Sequence, residues 1–245
     1  LRWDMTERAL SVYRKALALG VHILTATGAV AGLVALMRIT EGDYRSAFLY
    51  LFLAMGIDMV DGTLARGANV KKVMPGFDGA LLDNIVDYLN YTLVPAFYLV
   101  KANLAGSPMS FILAALILLS SAYQFCQSDA KTQDHFFKGF PSYWNILVFY
   151  FFLLDPDAGT VTFLVLLCVV LVFVPVLYLY PSRMRRFKKL TVVLTSLYTL
   201  LLLHQVAMAP GHHPLLVYGS LLYVAYYVIL SLYFTFERIG RPRSA

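Results

Sequence analysis

Four aspartates, Asp58, Asp61, Asp83 and Asp87, stand among apolar residues at spacings that put them on helix faces. Asp58, Asp61, Gly62 and Ala65 fall at i, i+3, i+4 and i+7, one stripe of a helix. Gly79, Asp83 and Asp87 fall at i, i+4 and i+8 and form a second stripe on the next apolar segment. Core-facing stripes normally carry Leu or Val, whereas these carry carboxylates and the smallest residues. If the two segments are antiparallel neighbours, four carboxylates aim at one cavity. At a rise of about 1.5 Å per residue, Asp58 and Asp87 lie roughly 12 Å below the inner membrane face. An aspartate at that depth costs ~2.5–3.5 kcal/mol, so four without counter-charge would cost on the order of 10 kcal/mol. Arg66 alone cannot neutralise them. Divalent cations can, and an all-oxygen ligand set selects hard ions such as Mg²⁺ or Mn²⁺. Two carboxylate pairs on facing helices suit two ions that clamp a phosphate during in-line displacement. Gly62, Ala65 and Gly79 leave room for a ligand to approach the backbone, and Arg66 offers a guanidinium to a phosphate or a base. The same spacing also fits an ion-conduction path or the lining of a water-filled cavity.

The elements that must position these residues are membrane helices. Of 245 residues, 60% are hydrophobic and 14% charged, where a soluble domain carries roughly 25% charge. Recurrent apolar runs predict an all-α, polytopic membrane protein with about eight spans. They fall near residues 16–37, 44–66, 79–100, 108–128, 141–154, 159–181, 190–209 and 214–236. Residues 1–15, with Trp3, Ala9, Leu10 and Tyr13 among charges, predict an amphipathic helix on the inner surface. Asp4 and Glu7 argue against a cleaved signal peptide. Of the 20 Lys and Arg residues, all but Arg38, Arg45 and Lys101 fall on one side if the N-terminus is cytoplasmic. Both termini and the aspartates' end of their helices are then cytoplasmic.

The net charge of +6 is thus a topology signal spread over short loops, and it excludes a coherent nucleic-acid surface. The run from Pro181 to Lys189 reads as a positive-inside anchor. Cys126 and Cys168 read as packing residues, with no disulfide framework. His22 and His204, alone in apolar runs, read as packing histidines. Pro95 and Pro175 should kink their spans. Gly28 and Gly32 form a GxxxG pair that permits close helix approach without naming the partner.

The pattern DxxDGxxAR followed by GxxxDxxxD resembles the signature of the CDP-alcohol phosphotransferase family. Asp58, Asp61, Gly62, Ala65, Arg66, Gly79, Asp83 and Asp87 fill all eight positions. Most members have about eight residues between the two halves, whereas here Gly67 to Asp78 makes twelve. That spacer, the eight-span layout and the segment FKGFPSYWN at 137–145 resemble the family's bacterial phosphatidylcholine synthase branch. The resemblance implies a catalytic core at about 16–181 within one transmembrane domain, 16–245, with additional helices at 190–236. It implies that Asp58, Asp61 and Asp83 ligate metal, and that Asp87 ligates metal and acts as general base. Asp58, Gly62, Ala65, Arg66, Gly79 and Lys138 would bind CDP-diacylglycerol. The implied reaction is attack by choline on that lipid with release of CMP, using two Mn²⁺ or Mg²⁺ ions, in a homodimer of the bacterial inner membrane.

Choline carries a fixed charge without N–H donors, so its recognition calls for aromatic faces. Tyr88, Tyr91, Tyr123, Tyr143, Trp144 and Asn145 are the candidates, with Phe136 and Phe137 beside them. Each aromatic equally suits an interfacial anchor. Two alternatives remain: a sibling phosphatidyltransferase acting on serine or another alcohol, and a divalent-cation transporter. A transporter would carry its polar residues on toward the outer face, whereas here the buried carboxylates stop in the inner half of two spans.

Overall fold

The computed structural model describes residues 2–132, 134, 136–181, 183, 184, 186–211 and 213–239, with side chains from Leu10 onward. The described chain is nearly all helical and divides into two compact units, 1–94 and 95–245. Five helical segments are long and apolar enough to cross a membrane: Leu10–Glu41, Tyr44–Gly67, Met109–Cys126, Lys188–Met208 and Pro214–Ile239. The chain is therefore a multi-pass membrane protein. Trp144–Leu154 and Ala158–Phe173 are apolar but shorter.

In the first unit, α1 (Arg2–Glu41) is a single unbroken helix. The separate surface helix expected over 1–15 is instead continuous with the first span, because no Gly or Pro precedes Gly20 to end it. Gly42, at φ +80°, turns the chain. Asp43 then caps α2 (Tyr44–Gly67) by accepting from the Ser46 amide at 3.1 Å. The twelve-residue spacer holds a short helix, α3 (Val70–Val73), whose Val70 is buried against Ala18 and Val21 of α1. Asp78 caps α4 (Gly79–Tyr88), accepting from the Ala80 and Leu81 amides at 3.0 Å.

A π-helical turn, Leu89–Leu93, follows α4 and ends with the Val94 amide donating to the Leu89 carbonyl. Pro95 comes next, and its missing N–H and bulky ring cannot continue an ordinary i→i−4 ladder. The kink expected at Pro95 is thus taken up as a π turn. The same turn answers the GxxxG pair on α1. A Cβ at Gly28 would stand 2.8 Å from Val86 Cγ1, and one at Gly32 would stand 2.3 Å from Asn90 Oδ1. The Asn90 amide donates to the Gly28 carbonyl at 3.1 Å. Close approach by α4 and the π turn is what these two glycines permit.

Helix α5 (Val94–Lys101) begins at the last residue of the first unit and otherwise lies in the second, which also contains α6 (Met109–Cys126), α7 (Trp144–Leu154), α8 (Ala158–Phe173), α9 (Lys188–Met208) and α10 (Pro214–Ile239). The second unit also contains the one departure from an all-α fold among the described residues. Strands β1 (Phe136–Lys138) and β2 (Leu177–Leu179) pair antiparallel, with Phe137 opposite Tyr178. The span expected over 159–181 therefore ends at Phe173. Pro175 stops the helix rather than kinking it, and the chain continues extended. Phe140 donates to Leu171, one of the helix's last carbonyls, at 3.0 Å, and Gly139 donates to the Val176 carbonyl beyond the helix at 2.9 Å. Hydroxyl pairs join α9 to α10, Thr191 with Tyr226 at 2.7 Å and Thr195 with Tyr223 at 2.6 Å.

Two further expectations change. Cys126 is exposed at the end of α6 rather than packed, while Cys168 is half-buried, and both are free thiols. His204 is exposed on α9, so of the two histidines only His22 is a packed one.

Candidate active site

The carboxylate site lies wholly within the first unit. Asp58 of α2 and Asp83 and Asp87 of α4 each present a carboxylate oxygen within 4.8 Å of the others, and all three are half-buried. Ligand atoms at ~2.1–2.4 Å from one ion lie up to about 4.2–4.8 Å apart, so a single coordination sphere spans this separation. The donors are all oxygen and all anionic, which fits a hard divalent ion rather than zinc or copper.

The fourth aspartate behaves differently. Asp61 is buried, and its Oδ2 accepts from the Thr25 hydroxyl of α1 at 2.6 Å. Asp58 receives a comparable bond, with the Tyr91 hydroxyl donating to its Oδ2 at 2.8 Å. Of the four carboxylates expected to share one cavity, three converge, and Asp61 is tied to α1 beside them.

The small residues of the two stripes also separate. At Gly62 a Cβ would meet Arg66 Nη1 at 3.4 Å, so this glycine lets the Arg66 side chain fold back over α2. Arg66 is exposed and donates to Thr63 Oγ1 at 2.8 Å. Ala65 packs on the cluster of Ala18, Val21 and Val70. The clearing expected at Gly79 is filled by the protein itself. A Cβ there would stand 2.6 Å from Cε1 of His22, whose ring lies 4.2 Å from that of Phe77. His22 Nε2 is buried without a hydrogen-bond partner among the described residues.

Tyr88 and Tyr91, one and four residues after Asp87, are half-buried, and the Tyr91 hydroxyl is bonded to Asp58. The remaining candidates belong to the second unit. Lys138 Nζ lies 2.5 Å from Asp129 Oδ2, and this ion pair holds the Asp129 carboxyl below its ordinary range. Tyr123 is exposed, its ring 5.0 Å from that of Phe173. Tyr143 is half-buried and edge-on to Phe137, which stacks on Tyr180 at 4.8 Å. Phe136 packs on Phe234. Trp144, expected to offer an open face, is fully buried, and its indole N–H donates to Ser121 Oγ at 2.7 Å. Asn145 is buried, with Oδ1 unpartnered among the described residues.

Sequence reasoning missed the roles of Thr25 and of the Tyr91 hydroxyl. Thr25 looks like any threonine in an apolar helix. Its only signal is that Ala18, His22, Thr25, Gly28 and Gly32 make one small or polar stripe along α1. His22 packs, as its apolar setting implies, and its neighbours Phe77 and Gly79 are visible only in the structure. Asp78, the fifth acidic residue of the region, is a helix cap and not a ligand.

The match to known proteins agrees with this geometry. The family model for CDP-alcohol phosphatidyltransferases matches residues 20–175, and the chain belongs to that family. Its relatives carry a narrower name. A phosphatidylcholine synthase of Legionella bozemanae is 43% identical over 215 residues, covering 85% of this chain and 99% of the relative. The phosphatidylcholine synthase of Legionella pneumophila is 45% identical over 223 residues, 88% of either chain. That of Borreliella burgdorferi is 34% identical over 223 residues, 90% of this chain and 95% of the relative.

Proposed function

We propose that this chain transfers the phosphatidyl group of CDP-diacylglycerol to choline and releases CMP. The observation that carries the proposal is the convergence of Asp58, Asp83 and Asp87 within 4.8 Å. The shared length and name of the three relatives supports choline as the acceptor. In this reading Asp58, Asp61, Asp83 and Asp87 together hold two divalent ions, Mn²⁺ or Mg²⁺. Bound there, the ions would neutralise charge on the diphosphate, where electrostatic stabilisation is the largest catalytic contribution.

The chain's own groups do the rest. Gly62 and Arg66 flank the carboxylates and would meet the cytidine diphosphate portion, with the Arg66 guanidinium suited to a phosphate oxygen, while Ala65 and Gly79, packed on α1, would fix the backbone beside it. The choline oxygen attacks the lipid-side phosphorus, the bond from that phosphorus to the CMP oxygen breaks, and the hydroxyl proton passes to Asp87. The electron pair leaves with CMP. The rings of Tyr88 and Tyr91, next along the chain from Asp87, offer π faces to the quaternary ammonium.

The reading extends to topology. The asymmetry of Lys and Arg supports a bacterial inner-membrane protein with both termini and the site facing the cytoplasm. The five long spans would be joined by 79–101, helical throughout, and by the two shorter apolar helices, for eight crossings. The family match at 20–175 supports a catalytic core at about 16–181 of a single transmembrane domain. The working form in this reading is a homodimer, as the family resemblance implies.

The test is a substrate panel on purified protein in detergent with CDP-diacylglycerol and Mn²⁺ or Mg²⁺. CMP release should require choline and a divalent ion and should disappear on chelation. Release with serine but not choline would move the protein to a sibling activity, and no release with any alcohol would sink the enzymatic reading.

A further inference from the structure

We propose that Thr25 and Tyr91 are positioning residues for the metal site, each orienting one carboxylate of α2 through its hydroxyl. The inference rests on the metal-holding role given above to Asp58 and Asp61. Its observations are separate from that role: two short hydroxyl–carboxylate bonds that come from two different elements and end on two ligands one turn apart.

Threonine in a membrane helix ordinarily turns its hydroxyl back to the carbonyl four residues earlier. For Thr25 that acceptor, Val21 O, is 3.3 Å away, while Asp61 Oδ2 is 2.6 Å away. A hydroxyl has one hydrogen, and the shorter bond to a charged acceptor takes it. Thr25 and Asp61 are both more than nine-tenths buried, so water does not compete for either group.

Tyr91 sits at the centre of the π turn, a kind of insertion that recurs at functional sites. Its hydroxyl donates to Asp58 Oδ2 at 2.8 Å. In both pairs the hydroxyl engages one carboxylate oxygen, Oδ2, which restrains the rotation of the group. Partners that orient ligands in this way typically contribute about 10- to 100-fold to metal affinity or activity. The arrangement also ties α2 to its two neighbours. Thr25 brings in α1 and Tyr91 brings in the turn after α4, so the two ligands of α2 are oriented from opposite sides of the chain.

The experiment measures Mn²⁺ binding to the purified full-length protein, from the electron paramagnetic resonance signal of free Mn²⁺, with no lipid or choline present. Thr25→Val removes the hydroxyl at nearly constant shape, and Tyr91→Phe keeps the ring. Each should weaken Mn²⁺ binding about 10- to 100-fold, and Thr25→Ser should restore it to within about threefold of the parent. Should Thr25→Val fail to give monodisperse protein, Tyr91→Phe and Thr25→Ser carry the test. Parent-like Mn²⁺ binding in both Thr25→Val and Tyr91→Phe would overturn the proposal. So would a rise in choline KM for Tyr91→Phe with Mn²⁺ affinity unchanged, since the Tyr91 hydroxyl would then serve the substrate and not the carboxylate. A parent protein that binds Mn²⁺ but does not use choline would refute the acceptor and leave the positioning roles standing.

Discussion

Residues 58–91 and 136–145 are both polar segments in an apolar chain, and they dispose of their polar groups in opposite ways. In 136–145 most polar groups meet a complement, the buried Asn145 Oδ1 being the exception among the described residues. The Gln124 amide donates to the Lys138 carbonyl at 2.8 Å, Lys138 pairs with Asp129, and Ser142 and Trp144 both donate to Ser121. Gly139, at φ +79°, brings the backbone against the Val172 carbonyl. In 58–91, by contrast, three like charges converge. At a separation near 4.8 Å each carboxylate pair repels by about 3–4 kcal/mol at an effective dielectric of about 20. A hydrogen bond to a charged group returns only ~1.5–3 kcal/mol. Complementary groups at close quarters mark a scaffold, and like charges held together mark a place where a counter-charge is meant to enter.

That contrast is open to direct attack. The largest effect should come from Asp87→Asn, which keeps shape but removes the base. CMP release should fall by about 10²–10⁴-fold while CDP-diacylglycerol still binds, and a variant with parent-like turnover would remove Asp87 from the chemistry. Next is Gly139→Ala, where a Cβ would stand 2.3 Å from the Val172 carbonyl at a positive φ. It should cost about 1–3 kcal/mol of stability, read as a lower Tm, with Mn²⁺ binding per folded molecule unchanged. Lost Mn²⁺ binding at an unchanged Tm would mean that 136–145 serves the site and not the scaffold. The smallest effect belongs to Gly20→Ala on the exposed face of α1, where nothing lies within 4 Å of the added Cβ. Stability should change by less than about 1 kcal/mol, in the favourable direction, because Ala is the better helix former. A substantial loss would show that the exposed face of α1 also has a partner.

The carboxylate stripes were legible because charge in an apolar run is rare and because a helix converts spacing into direction. Asp83 and Asp87 at i and i+4 could hardly point elsewhere. Thr25 and Tyr91 were not legible, since one hydroxyl in a helix has an ordinary local use and only the neighbour's position reveals another. The helical segments themselves follow from their apolar runs. The β1–β2 ribbon was hidden for a different reason: three residues at 136–138 pair with three at 177–179, and so short and distant a pairing leaves no periodicity to read. FKGFPSYWN looked like a recognition segment through its resemblance and its aromatics. Its rings meet one another and Tyr178, Tyr180 and Tyr227, and the Trp144 N–H meets Ser121, contacts that no count of aromatic residues reveals. Pro95 and Pro175 looked alike in sequence, yet one is absorbed by a π turn within a helical run and the other ends its helix.

One feature of α1 bears on how such a chain can vary. Read from its N-terminal side, the helix meets Val70 at Ala18 and Val21, Phe77 and Gly79 at His22, Asp61 at Thr25, and Val86 and Asn90 at Gly28. Both halves of the carboxylate motif and the spacer between them are thus indexed against a helix that supplies none of the motif's aspartates. An in-frame insertion of one residue between Val21 and Gly28 would rotate everything beyond it by about 100°. Every one of those dockings past the insertion would lose phase at once, although no aspartate had changed. Substitutions along α1 can be graded and local, whereas changes in its length cannot, so its tolerance to insertion should be far lower than its apolar composition suggests.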